Sequence, residues 1–382
     1  MPTFLEARSL ILERVAPVGS ERAPITVAAG RVLAETVRAP WDLPRWDNSA
    51  MDGYAVRSGD CHGPVTLQVS GSLAAGRAGP ERVERGCAVR IMTGSPVPEG
   101  CDAVVPFEET VESGGSVKIL GPVKPRAHIR FRGEDVSAGD LVVPAGTVLR
   151  PPEIGMLASF GRVFVSVYRR ARVAILSTGD ELVELGVPLT PGKIVNSNTL
   201  SLAAAASEAG ALPVLLGIAR DDRDSLREKL SEGFGAEALI TSAGVSAGDR
   251  DLVREVLAEL LVDEVFWKAD IRPGHPVAFG MKNGKPVFSL PGNPVSSLVT
   301  FEMFVRPALR KMMGHGDPVK PLVKAVLSEP IRKKAGKVHF FRVRVEVEEG
   351  GYVARGSGDQ NTGILKTMVR ANGIAVLPAE RT

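Results

Sequence analysis

The chain has 382 residues, 44% of them hydrophobic, with 28 Pro and 41 Gly; this exceeds what one hydrophobic core usually supports, and two to four turn-rich domains are expected. Its 47 basic and 44 acidic residues leave a formal charge of +3 and a pI near 8.8, a balance that permits anionic ligands and argues against a dedicated nucleic-acid binder. Only 5% of residues are aromatic, and none interleave with the basic runs at 169–172 and 332–334, which read as solvated surface rather than a base-stacking platform.

Thr3-Phe-Leu-Glu6 is a capping box, and Phe4, Ala7, Leu10, Ile11 and Val15 follow at helical spacing, so the chain opens with an amphipathic helix. The stretch D-N-S-A-M-D-G-Y-A at 47–55 taken alone is turn chemistry, with short polar side chains that bond back to the backbone and a glycine after Asp52. Short strands are expected at 65–69, 88–92, 103–107 and 117–120, a small β-rich region. Strand-like residues at 141–143 and 147–149 lead into Pro151-Pro152-Glu153 and an apolar helix to Phe160, and 169–172 reads as a linker.

From 171 to about 315, short β-branched or aliphatic runs at 173–176, 213–217, 238–241 and 287–290 alternate with helical patterns at 224–234 and 252–261. That alternation predicts a parallel, doubly wound α/β sheet. Strand alternation returns at 340–347, 352–355 and 374–377, giving a last β domain. No internal repeat or low-complexity tract is present.

Cys61, Cys87 and Cys101 are odd in number and lack a C-x-x-C pair, so neither a disulfide framework nor a thiolate zinc site is expected. The five histidines are scattered, which leaves a hard ion on carboxylates as the metal that the residues favour. The N-terminus has no signal-peptide pattern, and no apolar run approaches the roughly 18 residues of a membrane span, so a soluble cytoplasmic protein is expected.

In a doubly wound sheet the chemistry sits at the carboxyl ends of the strands. Four loops are expected there: S-T-G-D-E at 177–181, I-A-R-D-D at 218–222, T-S-A-G-V-S-A-G-D-R-D at 241–251 and L-P-G-N-P-V-S-S at 290–297. Glycines let backbone approach a phosphate, and carboxylates hold a Mg²⁺ that neutralises it. Each loop alone also fits ordinary helix capping, and Asn293-Pro294 has the form of a cap followed by a first-turn proline.

With these loops in place, D-N-S-A-M-D-G-Y-A, R-I-M-T-G-S-P-V-P-E-G-C-D-A-V-V, R-G-E-D, S-T-G-D-E-L, S-A-G-V-S-A-G-D-R-D and L-P-G-N-P-V-S-S together make the chain resemble the MoeA family of molybdopterin molybdenumtransferases, which includes the E domain of gephyrin. The resemblance runs nearly end to end. It implies a multidomain α/β plus β architecture: a discontinuous N-terminal helical and linker domain (1–46 and 136–170), a β-rich arm (47–135), a doubly wound, parallel-sheet molybdopterin-binding domain (171–316) and a C-terminal β domain (317–382). It also implies an elongated homodimer whose cleft combines the α/β domain of one subunit with the β-rich domain of the other. The implied reaction takes adenylylated molybdopterin and molybdate as substrates, uses Mg²⁺, and releases AMP and molybdenum cofactor. A molybdopterin adenylyltransferase and apo-molybdoenzymes fit as partners, with neither nucleic acid nor membrane.

Carried over by motif, Asp52, Thr93 and Asp135 stand on the β-domain side as catalytic residues, and Glu181, Asp221 and Asp251 on the α/β side, the last three also as Mg²⁺ ligands. Ser177, Thr178, Gly179, Ser242, Gly244 and Ser246 are implied around the pterin nucleotide, and Pro291, Gly292, Asn293 and Pro294 shape the nucleotide-side loop. Lys268 and Arg272 suit an oxyanion such as molybdate; the plainer reading is a charged strand end in water.

Two places depart from the family pattern. The usual K-P-G-K-P is R-P-G-H-P, with Arg272 and His275 in place of lysines, and the usual double glycine before V-S is Ala243-Gly244. Arginine keeps the charge with different donor geometry, histidine gives no fixed charge near neutral pH, and alanine resists positive φ. The competing readings are a non-enzymatic scaffold like the gephyrin E domain, a molybdopterin adenylyltransferase and a generic Mg²⁺-dependent nucleotide hydrolase.

Overall fold

The computed structural model describes residues 1–74, 76, 82–244 and 252–381. The chain divides into two compact units: Met1–Glu35, Gly146–Ile154 and Val163–Thr382 make one, Thr36–Ala145 and Gly155–Arg162 the other.

Helix α1, Phe4–Arg14, begins on its capping box: the Glu6 N–H donates to Thr3 Oγ1 at 3.4 Å and the Thr3 N–H to Glu6 Oε2 at 2.9 Å. Its apolar stripe is buried at Phe4, Ala7 and Ile11. The Phe4 ring lies 5.7 Å from Phe304 and 5.0 Å from Phe340, so one helix packs against both the α/β and the C-terminal parts of its unit.

The second unit carries a six-stranded sheet of β1 Gly53–Val56, β2 Val65–Leu73, β3 Cys87–Ile91, β4 Ala103–Pro106, β5 Thr110–Ser113 and β6 Ser116–Ile119. The order is β4-β1-β3-β2-β6-β5, antiparallel except for the β2–β3 pair. Strand β1 is buried along its length because it has a core on each face: Tyr54 and Val56 enter one cluster, Ala55 the other. The four expected strands are present, and β1 and β5 come in addition. The strand expected at 147–149 is a single bridge from Val148 to Val32, since Gly146 turns the chain at φ +86° on one side and helix Pro151–Ser159 begins on the other.

The α/β part of the first unit contains β7 Arg172–Thr178, α2 Ser197–Glu208, β8 Leu212–Ala219, α3 Arg223–Gly233, β9 Ala238–Ser242, α4 Leu252–Glu259, β10 Asp263–Phe266, β11 Ile271–Arg272, β12 Ala278–Lys282, β13 Lys285–Leu290 and α5 Pro294–Thr300. Its main sheet runs β8-β7-β9-β13-β12-β10. The first four strands are parallel, as the alternation predicts; β12 is antiparallel to both neighbours. The β12–β13 hairpin turns on Asn283 (φ +50°) and Gly284 (φ +77°), the Asn-Gly pair that a tight hairpin requires. Because β8 and β9 flank β7, the chain reverses its direction across the sheet there, and the carboxyl ends of β7 and β9 open a crevice.

The C-terminal sheet holds β14 Ala325–Leu327, β15 Val338–Glu348, β16 Gly351–Gly356 and β17 Gly373–Leu377. The two-residue β11 joins it in parallel with β15, setting Arg272 opposite His339. Among the described residues, no helix is long and apolar enough to cross a membrane.

Candidate functional site

The crevice at the ends of β7 and β9 is a cleft of about 710 Å³ lined by Thr178, Gly179, Glu181, Asp221, Ala243 and Gly244, with Arg223 and Glu255 at its helical side. Gly179 has φ +143°, and a Cβ there would stand 2.5 Å from Glu181 Oε2, so the Glu181 carboxylate folds over bare backbone. Asp221 is tied to the same loop: the Asp180 N–H donates to Asp221 Oδ2 at 3.3 Å, and the Asp221 N–H to Asp180 Oδ1 at 3.4 Å. Gly244 has φ +76°, and a Cβ on it would meet Val253 Cγ2 at 2.2 Å, so only glycine fits. Ala243 takes φ +76° as well, keeping the left-handed turn despite its methyl group.

Thr178 Oγ1 is buried and finds no partner among the described residues, an acceptor and donor left for a ligand at this edge. Ser177 does not reach the cleft: its hydroxyl is buried 2.8 Å from Thr199 Oγ1. Ser242 is also buried, accepting from Asn198 Nδ2 at 2.8 Å. Asp251 and Ser246 lie outside the described residues. Glu181 and Asp221 are hard oxygen donors on one cleft, and Mg²⁺ binds through one or two carboxylates completed by phosphate and water oxygens, so this pair fits that ion. Among the described residues, no group of three or more His, Cys, Asp or Glu converges into a metal cage.

A second cleft, of about 480 Å³, is basic. It is lined by Arg272, Gly274, His275, Pro291, Asn293, Ser296, Lys334, Lys337, His339 and Thr362, with no acidic residue in its wall. Burial first, then the charges of Lys333, Arg272 and Lys337, hold the His339 imidazole below its ordinary pKa. Asn293 stands at the N-cap of α5 with Pro294 at N1, as the sequence predicts, but its side chain does not cap; Nδ2 donates to Thr362 Oγ1 at 3.2 Å. The asparagine thus joins the α/β loop to the C-terminal domain. Lys268 is exposed and absent from the lining, so of the two basic positions four apart only Arg272 enters the cleft.

The two clefts adjoin. A Cβ on Gly292 would lie 3.1 Å from Ala243 Cβ, and Asn198 Nδ2 donates to both Ser242 Oγ and, at 2.7 Å, the Gly292 carbonyl. Lys334, expected as part of a solvated basic run at 332–334, instead lines this cleft, and Lys337, His339 and Thr362 carry no pattern in the sequence that marks them. Lys334, Lys337 and His339 are brought there by the β11–β15 pairing, about sixty residues beyond R-P-G-H-P, and Thr362 by its bond to Asn293.

In the second unit, Asp52 and Thr93 come together: the Thr93 N–H and hydroxyl both donate to Asp52 Oδ1 at 2.7 Å. These bonds, the backbone one foremost, hold the Asp52 carboxyl below the usual carboxylate range. Asp52 is exposed, so the opening turn presents an ionised, oriented carboxylate to solvent. Asp135 is exposed too; its N–H donates to the Leu43 carbonyl at 3.0 Å, and among the described residues nothing bonds it to Asp52 or Thr93.

Comparison with known proteins agrees along the whole chain. Residues 3–161 match the model of the MoeA N-terminal region (domain I and II), 174–311 that of a probable molybdopterin binding domain, and 324–382 that of the MoeA C-terminal region (domain IV). The chain is 39% identical over 400 residues to molybdopterin molybdenumtransferase 2 of Mycobacterium tuberculosis, covering 100% of this chain and 96% of the relative. It is 38% identical over 385 residues to the molybdopterin molybdenumtransferase of Haemophilus influenzae, covering 100% and 95%. The crystal structure of the molybdopterin biosynthesis MoeA protein from Pyrococcus horikoshii superposes with a TM-score of 0.84 at 31% identity, covering 99% of this chain and 96% of that one. With its three-part architecture and its paired clefts, the chain belongs to the MoeA family of molybdopterin molybdenumtransferases, transferases of molybdenum cofactor biosynthesis.

Proposed function

We propose that the protein inserts molybdate into adenylylated molybdopterin in a Mg²⁺-dependent reaction that releases AMP and molybdenum cofactor. The observation that carries this reading is the junction of an acidic, glycine-lined cleft with a basic one at Ala243 and Gly292. Two anions of different kinds need such a division: a pyrophosphate that requires charge neutralisation, and a free oxyanion that requires fixed cations. Molybdenum itself needs no soft protein ligand, because the dithiolene sulfurs of the pterin supply them.

Gly179 and Gly244 line the cleft that takes the pyrophosphate, and the Thr178 hydroxyl offers it a hydrogen bond. Glu181 and Asp221 would hold Mg²⁺, which supplies positive charge to the pyrophosphate oxygens. A carboxylate of this cleft orients a water for attack on one phosphorus; the bridging P–O bond breaks and AMP departs. Arg272 holds the oxyanion in the adjoining basic cleft. We further propose a cytoplasmic homodimer in which the Asp52–Thr93 pair and the cleft acids of one reaction are supplied by different copies.

The test is to give purified protein adenylylated molybdopterin, Mg²⁺ and molybdate, and to measure AMP release together with activation of an apo-molybdoenzyme. Both are expected; absence of AMP release under every metal and oxyanion condition would refute the reading, and pyrophosphate release from ATP and molybdopterin would favour an adenylyltransferase. For the dimer, mixing inactive Asp52→Ala and Glu181→Ala chains under subunit exchange should restore up to about a quarter of the sites. No recovery after demonstrated exchange would place both residues in one copy.

A further inference from the structure

A short polar segment, N-S-N-T at 196–199, starts helix α2 and reaches three strand ends of the sheet. Its first turn is anchored on β7. Asn196 caps the helix by accepting from the Thr199 N–H at 3.3 Å, and its Nδ2 donates to Thr199 Oγ1 at 2.9 Å. That hydroxyl lies 2.8 Å from Ser177 Oγ, near the end of β7. Asn196, Thr199 and Ser177 are all buried, and a closed polar network of this kind holds the helix start in one place.

From this anchored turn Asn198 reaches the other two loops. Its Nδ2 donates to Ser242 Oγ at 2.8 Å and to the Gly292 carbonyl at 2.7 Å. Ser242 precedes Ala243 of the acidic cleft, and Gly292 stands between Pro291 and Asn293 of the basic one. The Gly292 carbonyl only accepts, which decides that the amide nitrogen faces it. Asn198 Oδ1 is buried with no partner among the described residues, so the two donated bonds fix the side chain. The ladder between β9 and β13 ends at Ser242 and Leu290, with one further bond from the Ala243 N–H to the Leu290 carbonyl at 3.0 Å. Beyond that rung, Asn198 links one loop to the other.

In the insertion reaction one substrate carries both the pyrophosphate that is cleaved and the dithiolene that takes the metal, so the two clefts must stand at the spacing of those groups. We propose that Asn198 is a positioning residue that sets this spacing and thereby couples pyrophosphate cleavage to metal insertion; the inference rests on the insertion reading given above. Asn198 acts through Ser242 and Gly292. Without its two bonds each cleft still binds its own anion, but water cleaves adenylylated molybdopterin to molybdopterin and AMP with the oxyanion out of place.

The test gives the full chain adenylylated molybdopterin, Mg²⁺ and saturating molybdate, and measures AMP and cofactor in the same reaction for Asn198→Ala, Asn198→Asp and Ser201→Ala. Aspartate keeps the shape of asparagine and lacks both donors. Ser201, whose hydroxyl donates to the Asn198 carbonyl at 3.1 Å, alters the same helix start without reaching the loops. The parent and Ser201→Ala should yield AMP and cofactor in equal amounts. Both Asn198 variants should lose cofactor formation about ten-fold while AMP release falls less than about three-fold, because small misplacements of reacting groups cost rate steeply. Calorimetry should find AMP with Mg²⁺, and tungstate alone, each bound within about two-fold of the parent, since placement is lost and binding is not. Equal amounts of AMP and cofactor from both Asn198 variants would overturn the inference and leave the insertion reading standing. Loss of AMP or tungstate binding in both variants would also overturn it, reducing Asn198 to a support of the cleft wall. A parent that releases no AMP and forms no cofactor would refute the insertion reading, and this inference with it.

Discussion

The acidic and basic clefts adjoin within one unit, yet they are built by different means. The acidic cleft consists of loops that leave β7 and β9 at the point where the sheet reverses its winding, so sheet topology alone brings Glu181, Asp221 and Gly244 together. The basic cleft has no such device. It exists because two residues of β11 pair with a strand of the next domain, and Asn293 reaches Thr362 instead of capping its own helix. The first cleft presents carboxylates and bare backbone, suited to an anion approached through a metal ion; the second presents cations without acids, suited to an anion held directly. In the proposed reaction, separate clefts would let each anionic substrate be handled without the other's counter-charges cancelling its own.

The largest effect should come from the acids. Glu181→Gln or Asp221→Asn should reduce AMP release about 10²- to 10³-fold, roughly 2.7–4 kcal/mol in barrier if each acts like a single electrostatic stabiliser. Binding of adenylylated molybdopterin should survive, and added molybdate should not rescue. Rescue by molybdate would erase the division between the clefts.

The converse variant is Arg272→Ala, which should raise the molybdate needed by roughly ten-fold, about 1.4 kcal/mol, and recover its maximal rate at high molybdate but not at high Mg²⁺. Lys268→Ala, exposed and outside the lining, should change this requirement little. A larger effect from Lys268 than from Arg272 would mean that the oxyanion sits elsewhere.

A smaller effect should appear in titration. The folded state lowers the pKa of His339, so as pH falls below the ordinary histidine value of about 6.5 the unfolded chain binds a proton that folded His339 does not. Stability should therefore decline with falling pH through that window, until the pH reaches the lowered value. Tungstate, by opposing Arg272, Lys333 and Lys337, should shift the His339 titration upward when followed by NMR. An unmoved resonance under saturating tungstate would separate the anion from this cleft.

The smallest effect is expected where the clefts meet. Ala243 holds φ +76°, which disfavours an L-residue by about 1–2 kcal/mol, whereas glycine loses about 0.5–1 kcal/mol through its freer unfolded chain. Ala243→Gly should thus be neutral to stabilising by up to about 1.5 kcal/mol in denaturant titration, with AMP release preserved. Clear destabilisation would show that the methyl group packs usefully against the Gly292 loop.

Local pattern determined a good part of this molecule. The capping box at Thr3 and Glu6, the buried parallel strands, the helices after β8 and β9, and the glycine- and acid-bearing loops at the strand ends all follow from short-range rules, because hydrogen bonding within a turn and the burial of one face depend on neighbours a few residues apart. The family motifs add Asp52 and Thr93, which the structure joins by two hydrogen bonds. Other signals were present but faint: Asn283-Gly284 marks the β12–β13 hairpin, while the alanine run of α2 offers little amphipathic contrast. Only the tertiary structure decided that Ser177 turns into the core toward Thr199, that Lys268 stays in solvent while Arg272 enters a cleft, and that Lys334, Lys337 and Thr362 join it. The place of Arg272, Lys334 and Lys337 depends on which strand edge the two residues of β11 find. Such pairing is made by backbone groups that every residue carries, so no side-chain pattern announces it.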